Sequence, residues 1–247
     1  TIIAQAVSAA LVMGKLLMTR EIYRVRLGEI CFDRKMIRRI VDIGLPAAIQ
    51  QSITSFSNVV VQSYINRFGT AAMAGYSATL RIDGFLQLPL QSFNMTITTF
   101  VGQNIGAKEY KRVKKGIFTS WLMCSGIILV GSVIMFLKAP SIIGIFTEDA
   151  AVISVGSSMI RIFGSAYLFL PIIQILNGAL RGAGRSKVPM YFMLGCFVLL
   201  RQIYLMIAVP MTKNVSVVFA GWPVTWVVCA IGMLVYYFKV DWLPKEE

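Results

Sequence analysis

The fold class is decided by residues 71–101, AAMAGYSATLRIDGFLQLPLQSFNMTITTFV. An α-helix rises ~1.5 Å per residue, so about 20 residues cross the ~30 Å hydrocarbon core of a membrane. This segment is longer than that and mostly apolar, although it contains Arg81 and Asp83. We therefore predict a membrane-spanning helix over 71–101.

Six more apolar segments, separated by short polar connectors, make up most of the remaining chain. The 247 residues are 57% hydrophobic and 14% charged, whereas soluble domains carry about 25% charged residues. We predict an all-α membrane protein, a polytopic helical bundle in which each segment crosses the bilayer once. Pro89 and Pro171 lie inside segments, where prolines often mark kinks. The six segments lie at roughly 1–19, 40–65, 117–137, 150–176, 188–209 and 215–238.

The basic residues are concentrated on one side of the predicted membrane. If every segment crosses once, four connectors on one side hold 17 of the 24 lysines and arginines, and the opposite side holds three. Cytoplasmic loops are enriched in Lys and Arg, so this bias indicates seven crossings and a cytoplasmic C-terminal tail. We expect the protein to lie in the plasma membrane. The bias also accounts for the net charge of +13 without a nucleic-acid partner. The four basic connectors are 20–39, 102–116, 178–187 and the tail from Lys239 onward.

The sequence lacks the patterns of catalytic and metal sites. There is no histidine, and the four cysteines are far apart, so His-based catalysis, His-ligated zinc and Cys-rich metal sites are excluded. The glycine-rich stretches Gly102–Ala107 and Gly178–Lys187 do not have dinucleotide-binding or P-loop spacing, and we interpret them as tight turns between helices. We expect no enzyme activity, no metal site and no cofactor.

Polar residues recur at helical spacing in two of the apolar segments. At ~100° per residue, each set falls within an arc of about 80°. Interhelical hydrogen bonds in a dry bundle would account for one or two such residues. Five in register on each of two helices favour a water-filled or ligand-accessible cavity. The first set is Gln51, Ser55, Asn58, Gln62 and Asn66, and the second is Asp83, Gln87, Gln91, Asn94 and Thr98.

Asp83 is the one acidic residue well inside a predicted span. A charged side chain at the bilayer centre costs at least ~2.5–3.5 kcal/mol, so Asp83 should face the bundle interior, where it is our proton-coupling candidate. The alternative is a static ion pair with Arg161 or Arg201, and these arginines could instead snorkel to lipid phosphates. The candidates for lining the substrate cavity are Gln51, Ser55, Asn58, Gln62, Gln87, Gln91, Asn94, Arg161 and Arg201.

Several short motifs resemble the multidrug and toxic compound extrusion (MATE) family. The most characteristic are VGQNIGAK at 101–108 and LRGAGRSKVP at 180–189. Gly44-Leu45-Pro46, Gly69-Thr70-Ala71-Ala72 and Phe146-Thr147-Glu148-Asp149 also look like that family. The order and spacing of these motifs match the family across nearly the whole chain, so the resemblance rests on the set rather than on any one motif.

This resemblance implies a transporter of twelve helices in two six-helix lobes. The chain would comprise the end of helix 6 (1–19), a basic cytoplasmic inter-lobe linker (20–39), the C-terminal lobe with helices 7–12 (40–239) and a cytoplasmic tail (240–247). Its partners would be the lipid bilayer, a small organic substrate and the missing N-terminal lobe. The implied activity is antiport by alternating access, exporting organic, often cationic, compounds in exchange for H⁺ or Na⁺.

Two departures from the family pattern bear on coupling and substrate. Sodium-coupled members tend to have an acidic residue in helix 7, whereas the region after Pro46 has Gln50 and Gln51, so H⁺ is favoured over Na⁺. Arg161 and Arg201 are awkward for a purely cationic substrate, so the alternative is a flippase or exporter of a lipid-linked or amphiphilic substrate in the same superfamily. A membrane scaffold, which the polar stripes oppose, and a membrane enzyme are the remaining hypotheses.

Overall fold

The structure is a computed structural model, and it describes residues 2–21, 24–26, 28, 32–212 and 214–243. Within these ranges the regular elements are helices and no strand occurs, which confirms the predicted all-α helical bundle. Parts of the predicted linker and half of the predicted tail lie outside the described residues.

Ten α-helices and one π-helical stretch follow one another along the described chain. Each predicted apolar segment corresponds to one helix or to a consecutive group of helices. The elements are α1 (Ile2–Met18), α2 (Arg34–Asn66), α3 (Thr70–Gly106), α4 (Tyr110–Leu137), α5 (Ala139–Gly144), α6 (Ala150–Gly164), α7 (Phe169–Gly182), α8 (Lys187–Met193), the π-helical stretch (Leu194–Leu200), α9 (Arg201–Thr212) and α10 (Val215–Lys239).

Three helical segments of the described chain are long and apolar enough to cross a membrane by themselves. They are α4, the continuous segment from α8 to α9, and α10. The pair α6–α7, which is bent by 59°, is long and apolar enough only when its two helices are taken together. Helices α2 and α3 have 33 and 37 residues, which is ample length, but their polar residues lower the mean hydropathy. The seven crossings therefore stay a prediction.

The chain divides into two compact units, Thr1–Val41 and Asp42–Glu247. In the first unit, α1 has no buried residue, and the Asp33 carboxylate accepts hydrogen bonds from the backbone N–H groups of Lys35 and Met36 at the start of α2. This arrangement satisfies donors that have no partner in the first turn of a helix.

Helix α3 is the centre of the second unit. It packs against α4, α6 and α7, while α10 packs against α6, α7 and α9. The core consists of apolar side chains that are almost completely buried, such as Leu90, Ile97, Ile128, Phe163 and Ile173. In a membrane these contacts stabilise the bundle by close packing, because lipid is as apolar as the core itself.

The two glycine-rich stretches that we interpreted as tight turns are mostly helical, so that interpretation was wrong in its extent. Helix α3 continues to Gly106, and α7 includes Gly178 and Gly182. The turns are shorter and contain the residues with positive φ, Lys108 at 60° and Gly184 at 75°. Gly178 and Gly182 serve helix packing, because a Cβ atom at either position would collide with α3.

Candidate functional site

Asp83 lies half-buried on α3 and is held by two neutral hydrogen-bond donors. The Tyr167 hydroxyl donates to Asp83 Oδ1 at 2.6 Å, and Gln87 Nε2 donates to Asp83 Oδ2 at 3.2 Å from one helical turn away. Each carboxylate oxygen therefore has a donor. The static ion-pair alternative required Asp83 to contact Arg161 or Arg201. In the structure its carboxylate contacts neither arginine.

Tyr167 reaches Asp83 because it lies in the break between α6 and α7. It is completely buried, at 0% exposure, where the chain bends by 59°. Pro171 has no N–H for the Tyr167 carbonyl, which lies four residues earlier, and the N–H of Leu170 donates to that carbonyl at 3.0 Å instead. The broken helix therefore places a tyrosine hydroxyl against the carboxylate on α3.

Arg201 is the first residue of α9 and is only 2% exposed. Its Nη1 donates to Asn58 Oδ1 at 3.2 Å, and its Nη2 donates to Thr225 Oγ1 at 3.3 Å. The guanidinium carbon lies 5.0 Å from the ring centroid of Trp222 and 5.2 Å from that of Phe197. The Nε–H group is buried and has no hydrogen-bond partner.

The surroundings of Arg201 are unusual for a buried charge. A guanidinium stays ionised at all physiological pH values, and burying a charge without an opposite charge is costly. Aromatic faces and two neutral oxygen acceptors offset part of that cost. Arg201 directly follows the π-helical stretch, a distortion that is frequent at functional sites. The site could accept an anion.

An aromatic cluster connects these two charged groups. The Phe163 ring centroid lies 5.3 Å from Trp222 and 5.2 Å from Trp226, and Tyr167 stacks on Trp226 at 5.7 Å. The tyrosine contacts the carboxylate, while Trp222 contacts the guanidinium. The acid and the arginine are thus separated by rings in one continuous set of contacts. The cluster consists of Tyr76, Phe163, Tyr167, Trp222 and Trp226.

The polar set on α3 is partly used by packing. Asn94 Nδ2 donates to the backbone oxygen of Gln174 at 2.7 Å and to its Oε1 at 3.2 Å. Thr98 donates to the Asn94 carbonyl within α3. Gln91 is exposed. Hydrogen bonding between helices therefore accounts for Asn94, as the dry-bundle alternative proposed. Gln91 stays a candidate for lining the cavity.

The polar set on α2 lies mostly at the surface of this chain. Within it, Gln62 Nε2 donates to Asn66 Oδ1 at 2.9 Å, and Asn58 accepts from the arginine of α9. Among the described residues no hydrogen bond joins the α2 set to the α3 set. Gln51, Ser55, Asn58 and Asn66 are exposed, Gln62 is half-buried, and Arg161 on α6 is exposed.

Several residues of the site were not identified from the sequence. Gln202 Nε2 donates to Ser57 Oγ at 2.8 Å, and the Ser57 hydroxyl donates to the Phe197 carbonyl at 3.2 Å. The aromatic residues had a signal of their own, because two pairs are spaced by four residues, a spacing that puts side chains on one face of a continuous helix. These pairs are Phe163 with Tyr167 and Trp222 with Trp226.

A half-buried carboxyl group and a buried arginine among long apolar helices, beside an exposed polar helix face, are features of the membrane-embedded part of transport proteins. The family model MatE matches residues 46–207. The chain belongs to this family, as the motifs predicted.

The chain is also similar in sequence to curated bacterial proteins. The probable multidrug resistance protein NorM of Thermotoga maritima is 27% identical over 190 residues, which are 77% of this chain and 41% of that protein. The probable multidrug resistance protein YoeA of Bacillus subtilis is 24% identical over 161 residues, which are 64% of this chain and 34% of that protein. The chain thus spans less than half the length of these relatives.

The fold is shared with a solved MOP superfamily transporter from Pyrococcus furiosus, for which a binding pocket of reverse polarity and a different function are described. The TM-score is 0.86 at 18% identity, and the match covers 100% of this chain and 56% of that one. This likeness shows that the chain has the fold of about half of that solved protein.

Proposed function

We propose that this chain forms one lobe of a secondary active antiporter that exports organic, often cationic, compounds in exchange for H⁺. Alternating access would occur between this lobe and a second lobe of the same protein. The observation that carries the proposal is Asp83, a carboxyl group among apolar helices that is bonded by neutral donors. The names of the relatives support multidrug export, and H⁺ is favoured over Na⁺ as the coupling ion.

Asp83 offers one negative charge for which a proton and an organic cation compete. While the carboxylate is charged, the Tyr167 hydroxyl and the Gln87 amide stabilise it by donating hydrogen bonds. Protonation removes the charge and turns one carboxyl oxygen into a donor. The proton therefore weakens the attraction for a cation, which is the exchange that antiport requires.

The position of Tyr167 supports a link between protonation and a change of shape. Its hydroxyl bond ties the break between α6 and α7 to α3, and charged acceptors form stronger bonds than neutral ones. Protonating Asp83 weakens this tie and leaves the broken helix freer to change its bend. Broken helices next to a coupling site are a recurrent feature of secondary transporters.

The test is ethidium efflux from cells that express the full-length parent protein. We expect efflux to stop when a protonophore collapses the proton gradient, and added Na⁺ should not restore it. Asp83→Asn should abolish pH-dependent efflux while membrane insertion is unchanged. The matched control is Glu148→Gln, an exposed acid in the connector before α6, which should transport normally. Normal transport by the Asp83→Asn protein would remove Asp83 from the mechanism.

A second candidate function is favoured by Arg201. A buried guanidinium with neutral partners suits a substrate with an anionic group, as in a flippase or exporter of a lipid-linked or amphiphilic compound. In that case the parent in proteoliposomes should not move ethidium but should translocate an anionic fluorescent lipid. Arg201→Gln should abolish that translocation, while the exposed Arg67→Gln should leave it intact. Ethidium efflux with no lipid translocation would exclude this second candidate.

A further inference from the structure

A pocket of about 330 Å³ lies between α3 and α4, at the basic end of α4. Neither the polar sets nor the aromatic cluster contributes to it. Its lining combines two cations, an aromatic ring and three hydroxyl groups. The lining residues are Thr96 and Phe100 from α3 and Arg112, Lys115, Gly116, Thr119 and Ser120 from α4.

The two cations are held on one face of α4. Arg112 and Lys115 are three residues apart, so they are neighbours on the helix surface. The guanidinium carbon of Arg112 lies 6.0 Å from the Phe100 ring centroid, which directs this group toward α3. No carboxylate lines the pocket. Glu109, the residue before α4, makes no ion pair with either cation in the described chain.

Hydroxyl groups add uncharged hydrogen-bond donors next to the cations. The Thr96 hydroxyl donates to the Ser92 carbonyl at 2.8 Å and keeps its lone pairs. The hydroxyl groups of Thr119 and Ser120 form no hydrogen bond within the described part of the chain, so both can donate into the pocket. Two cations with two hydroxyl donors match the oxygen atoms of a phosphate group.

Gly116 shapes the floor of the pocket. A Cβ atom there would overlap the Phe100 ring and lie 2.7 Å from its Cζ. The missing side chain lets the ring pack directly on α4, and the pocket forms beside that contact.

The pocket faces away from the polar set of α3. Thr96 follows Asn94 by two residues, so the two side chains point about 200° apart around α3. On α4 only 22% of the most apolar 18-residue window is buried, and Leu122 and Met123 are exposed. The pocket thus lies at the basic end of a large apolar helix surface, where the predicted topology puts the lipid headgroups.

We propose that this pocket between α3 and α4 binds the phosphate headgroup of an anionic phospholipid, whose acyl chains lie along the exposed apolar surface of α4. Basic pockets between membrane helices are known to bind anionic headgroups. A lipid is favoured over a soluble phosphate because the pocket lies at the end of an apolar surface, which only an amphiphile would cover.

The full-length parent protein, purified in detergent and stripped of lipid, should bind palmitoyl-oleoyl phosphatidylglycerol more tightly than the corresponding phosphatidylcholine. Native mass spectrometry measures the binding. Each cation near an anionic headgroup contributes about fivefold in affinity. The double variant Arg112→Gln, Lys115→Gln should therefore bind phosphatidylglycerol roughly 25-fold more weakly. Exchanging the two cations, as Arg112→Lys with Lys115→Arg, should preserve binding.

The matched control is Lys108→Gln with Lys111→Gln, which removes two charges from the same region outside the pocket and should leave binding nearly unchanged. A second variant, Thr119→Val with Ser120→Ala, keeps all charges and should also weaken binding. The proposal therefore stays testable if the Arg112→Gln, Lys115→Gln protein fails to fold. Equal weakening by the control, equal binding of phosphatidylcholine, or full competition by inorganic phosphate would each overturn the proposal.

Discussion

The two charged residues of the site, half-buried Asp83 and buried Arg201, differ in how their hydrogen-bonding groups are satisfied. Asp83 has a donor for each carboxylate oxygen, whereas Arg201 has neutral acceptors for two of its nitrogen atoms and none for Nε. A charge without a complete set of partners is costly inside a membrane. Both residues therefore have environments that a ligand or a proton can alter.

We expect Tyr167→Phe to reduce H⁺-coupled efflux in the full-length parent without abolishing it. The substitution removes the 2.6 Å hydrogen bond to Asp83 but keeps the ring that stacks on Trp226. The measurement is the initial rate of ethidium efflux at several external pH values. Loss of the bond should also lower stability by about 1–3 kcal/mol, since the charged acceptor loses a partner.

The control for this variant is Tyr191→Phe, because Tyr191 is 65% exposed. Its efflux and its melting temperature in detergent should match those of the unmodified parent. If Tyr167→Phe behaves in the same way, the bond between the helix break and α3 has no part in coupling.

At the scale of the elements, α3 and α7 are held together by a close backbone approach. A Cβ atom at position 178 would lie 2.6 Å from the Asn94 carbonyl oxygen, and the Asn94 side chain bonds back to Gln174 on α7. Small residues at such contacts are typical of membrane helix pairs, because they let the backbones approach.

We predict that Gly178→Ala lowers the stability of the bundle by about 1–3 kcal/mol, because the added methyl group forces α7 away from α3. Thermal unfolding of the full-length parent protein in detergent measures the effect. Gly126→Ala is the matched control, since a Cβ atom on this glycine of α4 would meet no atom within 4 Å. A control variant that melts as early as Gly178→Ala would show that the packing contact is not responsible.

The break between α6 and α7 is also decided at this scale. From composition, residues 150–176 form one apolar segment, and Pro171 predicts a kink within it. The structure has two helices with a 59° bend. Pro89, by contrast, lies inside the continuous helix α3. Proline alone therefore does not determine a break, because neighbouring helices can satisfy the freed carbonyl group.

At the scale of the whole molecule, the polar side chains of α2 form an exposed face of this lobe. Ser55 and Asn58 lie on that face, and the chain spans about half of the solved structures it matches. A polar face on a membrane helix is costly in lipid. We therefore expect it to line a water-filled cavity against a second lobe.

Cysteines placed at Ser55 and Asn58 should react with membrane-impermeant, water-soluble thiol reagents. The full-length parent should carry them after its native cysteines have been replaced by alanine. The control is Val61→Cys on the same helix, since Val61 is 0% exposed and should be protected. Protection of Ser55→Cys and Asn58→Cys in every conformational state would indicate a dry bundle.

The helical class, the apolar segments and the family were all predicted from the order of the amino acids. These depend on local composition, periodicity and short motifs, which act within one stretch of chain. The sequence also drew attention to Asp83 and Arg201, because an ionisable residue within an apolar segment is conspicuous in any membrane protein.

The contacts of these residues became known from the packed helices alone. Tyr167 is 84 positions from Asp83 along the chain, and Asn58 is 143 positions from Arg201. No local pattern encodes such pairs, because they depend on how bent and distorted helices pack against one another. The glycines at 178 and 182 show the same limit, since a glycine in a turn and a glycine at a helix contact look alike until the neighbouring backbone is present.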